Sequence, residues 1–143
     1  IRDSLYAAQK TLEDAEEDYK DTAKDYHYDT SKYQLVSAQH TLQAAQHTYN
    51  ATIQNFEMNF RTLYMQVKDY QQILSASRAA LSSQEATYAS LQLKYEQGNL
   101  SQNALLDAAD QVSAAQESVE KAELDLFSAY NSYCWAVEHG ILN

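Results

Sequence analysis

Proline is absent from this chain, and glycine occurs only twice, at Gly98 and Gly140. Helices built from such a sequence meet almost no internal breaker. Cysteine occurs once, at Cys134. No internal disulfide can form, so the redox compartment is not readable. Positive charge is scarce: ten Lys and Arg stand against twenty Asp and Glu, a formal net charge of −10. That argues against nucleic acid or an anionic membrane surface as partner, since both require Lys and Arg on one face. Long apolar runs are missing too. None approaches the roughly 20 residues of a membrane-spanning helix. The chain is therefore expected to be soluble, with no membrane-spanning segment and no nucleic-acid partner.

What is present is periodicity. One stripe reads Leu35, Leu42, Tyr49, Phe56, Leu63, Tyr70, and a second reads Ile53, Phe60, Val67, Leu74, Leu81, Tyr88, Tyr95. Each repeats every seven residues, and the two sit four residues apart. A period of 3.5 residues per turn marks left-handed supercoiling against partner helices. Two offset seams predict a helix packed on two sides. By length the 143 residues read as one domain.

The chain divides into three predicted helices, over about 1–26, 32–95 and 101–139. The first carries Leu5, Leu12, Tyr19 and Tyr26, with Ala8, Ala15 and Thr22 three residues behind the first three of them. Its register fails before Leu35. A turn is predicted near 27–31, where Asp29, Thr30 and Ser31 are good caps for a following helix. The second helix runs on to Tyr95 without a stop signal, roughly 95 Å at 1.5 Å per residue. The second turn is predicted at 96–100, around Gly98, with Ser101 as the next cap. The third helix repeats Leu105, Val112, Val119, Leu126 and Tyr133, each followed three residues later by Ala108, Ala115, Ala122, Ala129 and Ala136. Small residues at that position let two helix axes approach closely. The first and third lengths together match the second. The expected fold is all-α: an elongated antiparallel coiled-coil rod, one long helix flanked by two shorter helices stacked end to end.

The segment Leu93 to Asp107, LKYEQGNLSQNALLD, the alanine heptad after it and the closing AVEHGIL resemble TolC-type outer-membrane efflux proteins. Their repeat has a Tyr-x-x-Gly turn, a Leu-Asp-Ala segment, then an Ala- and Leu-patterned helix. Tyr95, Gly98, Leu106, Asp107 and Ala108 fit that pattern. Upstream, SAQHTLQAAQHTY resembles the start of the family's long helix, and residues 1–26 its preceding helix. The likeness covers nearly the whole chain and about half of the family's two-repeat subunit. It implies a trimeric tube, an α-helical barrel in the periplasm below a membrane β-barrel. The turn would lie at the periplasmic tip, where an adaptor protein docks. The implied location is the bacterial cell envelope. Tip residues implied for partner binding are Tyr95, Gly98, Asn99, Leu100, Ser101 and Asp107.

The chain departs from the family in two ways. The family's β-strands would fall at His27 to Ser31, a segment too short for them and without alternation. Leu100 stands where members carry a basic residue and Ala104 where they carry a carboxylate, leaving only Asp107. A charge-locked gate of their kind is not expected.

Tyr95 is claimed both by the tip and by the second stripe as packing. Asp107 is claimed by the tip, but more readily by the first turns of a helix, where the dipole favours a solvated carboxylate. His40 and His47 are seven apart, whereas metal pairs on a helix favour an i,i+4 spacing with a third ligand, so no metal site is expected. Cys134 has no activating neighbour in the sequence and reads as a packing residue. Asn50-Ala51-Thr52 and Asn99-Leu100-Ser101 match the glycosylation sequon incidentally. The run from Glu13 to Asp18 reads as a solvated helix face. No catalytic triad, Cys–His pair or phosphate loop occurs, so neither an enzymatic step nor a cofactor is expected. Two functions are left: a passive efflux-conduit component, and a coiled-coil scaffold or adaptor unrelated to export.

Overall fold

The computed structural model describes residues 2–140. They form three helices and no strand: α1 Arg2–Asp25, α2 Tyr33–Glu96 and α3 Gln102–His139. No described helix is long and apolar enough to cross a membrane. The chain divides into two compact units.

The 64 residues of α2 contain many Thr and Ser, which usually compete with helical hydrogen bonding. Here they turn inward on their own helix. Thr41, Thr48, Thr52, Thr62 and Thr87 each donate the hydroxyl to the carbonyl four residues back, at 2.8–3.1 Å. The polar group is satisfied without leaving the helix, and the side-chain methyl remains free to pack.

Unit 1 comprises Ile1–Thr62 and Trp135–Asn143. Its buried residues are Ala8, Ala15 and Ala23 on α1, Leu35, Ala38 and Ala45 on α2, and Ala136. The larger stripe residues Leu5, Leu12, Tyr19, Leu42, Tyr49 and Phe56 are only half-buried. Alanine thus occupies the line of closest approach, and the larger side chains flank it. Phe56 and Phe60 pack at 4.8 Å between ring centroids, and Trp135 stacks on His139 at 3.9 Å. At the end of α3, a Cβ built on Gly140 would stand 3.0 Å from the Arg2 Cβ.

Unit 2 comprises Leu63–Cys134. Here α2 and α3 run antiparallel. Tyr64 lies against Tyr133, and Arg78 donates to Glu123 at 2.8 Å, so rising numbers on one helix meet falling numbers on the other. Val67, Leu74, Ala108 and Ala122 are buried. In this unit the second stripe does the packing, whereas Leu35 of the first stripe is buried in unit 1. The four-residue step between stripes turns the apolar line by about 40°, against a drift of about 20° per heptad in the opposite sense.

Among the described residues no large side chain is fully buried. Most buried residues are alanine, while Met58, Tyr64, Met65, Ile73, Leu124, Phe127, Tyr130 and Trp135 stand about half or more exposed.

Candidate functional site: the turn at Gly98

The site lies in unit 2, where α2 ends and α3 begins. Gly98 has φ +76°, the left-handed region where a Cβ is penalised. Its N–H donates to the Tyr95 carbonyl, and the Asn99 N–H to the Lys94 carbonyl, both at 2.9 Å. This pair is a Schellman motif, which satisfies the last carbonyls of α2. On the other side the Ser101 hydroxyl accepts the Ala104 N–H at 3.3 Å, and its carbonyl accepts the Leu105 N–H at 3.2 Å. Ser101 is therefore the N-cap of α3. Nothing stands within 4 Å of a Cβ built on Gly98, so backbone conformation, not crowding, is what calls for glycine.

Five of the six expected tip residues come together in this turn. Tyr95, in the last turn of α2, is 40% exposed. Asn99 and Ser101 are exposed, and Leu100 is half-buried. Asp107 is exposed but lies six residues into α3 from Ser101, roughly 9 Å of helix rise along it. The turn is an ordered end that offers one phenol, one amide and backbone groups. Among the described residues no group of three or more His, Cys, Asp or Glu could hold a metal.

The turn in unit 1 repeats the motif without glycine. His27 N–H donates to the Lys24 carbonyl at 3.1 Å and Tyr28 N–H to the Ala23 carbonyl at 2.8 Å. His27 stands where Gly98 stands, with φ +51°, and Tyr28 follows at φ +59°. Two consecutive non-glycine residues in this region are unusual and strained. Asp29 then holds the chain: its Oδ1 accepts the Ser31 N–H at 3.0 Å and the Ser31 hydroxyl at 2.7 Å. The hydroxyl bond, then the N–H bond, keep the Asp29 pKa below its ordinary value. The sequence marks a cap at 29–31 but gives no sign of the strain before it, since neither His nor Tyr announces a left-handed residue.

Heptad reading also passed over the outer face of unit 2. There Leu74, Leu126, Phe127 and Tyr130 line an open groove of about 320 Å³, with the Arg78–Glu123 pair at its edge. The neighbouring Cys134 thiol pushes the Tyr130 phenol pKa up. Phe127 follows the stripe residue Leu126 by one, and only its 65% exposure identifies it as outward-facing.

Comparison with family models, with curated proteins and with solved structures finds no match to this chain.

Proposed function

We propose that this chain is a helical wall segment of an export conduit of the TolC type. In this reading its helices form an elongated antiparallel coiled coil, with α1 and α3 end to end along α2. Copies associate side by side, as a trimer where a tube closes. The turn from Tyr95 to Ser101, with Asp107 behind it, docks an adaptor protein in the bacterial cell envelope. The conduit is passive: it acts by enclosing a path, with no chemical step.

One observation carries the reading. The buried residues are mostly alanine, joined on α2 by Leu35, Val67 and Leu74, while large apolar side chains remain exposed. A wall with neighbours on both sides accounts for that distribution. The glycine-built tip supports it, because a rigid, short turn presents the same few groups in every copy. The resemblance at Tyr95, Gly98 and Leu106 to Ala108 supplies the kind of conduit.

The test uses the full-length protein in its own cells. Envelope fractionation is expected to place it with the membranes. Gly98→Val is expected to impair export more than Asp29→Ala. A purely cytosolic protein would instead favour a coiled-coil scaffold, and equal loss in both variants would show that the turn at Gly98 is not the working end.

A further inference from the structure

The chain meets one backbone problem twice and solves it differently. Both turns close with the same pair of hydrogen bonds, donated by the N–H groups of Gly98 and Asn99 in unit 2 and of His27 and Tyr28 in unit 1. In unit 2 the left-handed residue is Gly98, which has no Cβ to penalise. In unit 1 His27 and Tyr28 are both left-handed, and neither is glycine. Each costs the closed turn roughly a factor of ten. Asp29 fastens that turn through Ser31. Beyond the turn α1 is lightly held. It buries only Ala8, Ala15 and Ala23. Among the described residues, the ion pairs and side-chain hydrogen bonds of α1 stay within α1 itself. The segment from Tyr26 to Lys32 contains neither Gly nor Pro, so it is free to run open in the right-handed or extended backbone that its residues prefer.

We propose that the turn at His27 and Tyr28 is a hinge, and that two copies of this chain exchange α1 across it. With the hinge open, α1 of each copy takes the seat in unit 1 that α1 of the other has left, where Leu35, Ala38 and Ala45 of α2 are buried. A second copy is the occupant because the seat already fits this same helix. Every contact of the closed unit is remade, and only the turn changes. Both copies then shed two left-handed residues. Exchange of an identical element is a low-cost route to a dimer, and a short hinge under strain invites it. The turn at Gly98 carries no such strain and stays closed. The exchange leaves the outer faces of the helices untouched and does not depend on the wall reading.

Closed and exchanged forms differ only at the turn, so relieving the turn is the test. Wild type, unfolded in urea and refolded at rising concentration, should yield a dimer of twice 16.2 kDa in sedimentation equilibrium. His27→Gly/Tyr28→Gly relaxes the closed turn and should weaken that dimer at least about a hundredfold, a factor of ten for each relieved residue. Should the glycine pair lower the helix content in circular dichroism, His27→Asn/Tyr28→Asn, which also tolerates this backbone, repeats the measurement. Spin labels locate the exchange. In Cys134→Ser chains, one copy is labelled at Lys10→Cys on α1 and another at Thr48→Cys on α2, positions equidistant along the chain from Asp29. Their separation in the mixed dimer should match that within one monomeric chain labelled at both. If dimers form but the glycine pair leaves them unchanged, or the labels on different copies stay far apart, other faces hold the dimer; the exchange is wrong and the wall reading stands. If wild type stays monomeric after refolding at millimolar concentration, neither holds.

Discussion

Replacing Gly98 isolates the cost of one backbone conformation. At φ +76° an alanine pays about 1–2 kcal/mol for the left-handed region. It recovers about 0.4–1 kcal/mol because the unfolded chain loses freedom. No steric contribution enters, because nothing lies within 4 Å of the new Cβ. Gly98→Ala should therefore destabilise by about 1 kcal/mol, and Gly98→Val by about 2, since a β-branched residue is a severe outlier there. Gly98→Asn should cost less than either, because Asn tolerates this region. Urea unfolding followed by circular dichroism would read these as falls in midpoint at unchanged slope, about 0.5 M for each kcal/mol. The order Asn, Ala, Val is the diagnostic. If Gly98→Ala unfolds at the wild-type midpoint, or Asn costs as much as Val, the positive φ is not what the turn requires of residue 98.

His27→Gly should stabilise, by about 0.5–1 kcal/mol, because it relieves a left-handed non-glycine residue at the equivalent position of the other turn; the same urea titration checks it. Asp29→Asn should lower stability at neutral pH but not in acid. The folded-state pKa lies below the unfolded one, so the carboxylate's contribution is fully present above about pH 3.9 and is lost as pH falls through the lower folded value. Melting curves of the two proteins should converge only below that pH, and convergence already at pH 5 would refute the hydrogen-bonded cap. Ala122→Leu should destabilise by about 1–3 kcal/mol through overpacking at a site that is 3% exposed. Ala79→Leu, at an exposed position, should stay within about 0.5 kcal/mol.

The all-helical fold was legible because nothing in the chain interrupts it: no proline, and glycine only where helices end. Gly98 was legible as a stop, and Ser101 as a cap, because each is a local choice that local chemistry dictates. The stripes located the buried line, but they overstated the large residues. Leu105 and Val112 are half-buried, and it is Ala108 and Ala122 that are covered. Periodicity registers hydrophobicity, whereas closeness of approach is set by size. The turn at His27 and Tyr28 was legible only as a loss of register. Its conformation is imposed by the helices on either side and by Asp29, not by the residues that adopt it. Of the tip, the sequence placed Tyr95 to Ser101 together. The outer groove at Phe127 was not legible, since an exposed aromatic one residue from a core position has no signature in a heptad.

The central claim is that these helices are made to be covered by copies of themselves. Light scattering of the purified chain over a wide concentration range tests it most directly. The account predicts a mass that rises from 16.2 kDa to a defined multiple. A mass fixed at 16.2 kDa up to millimolar concentration would contradict it.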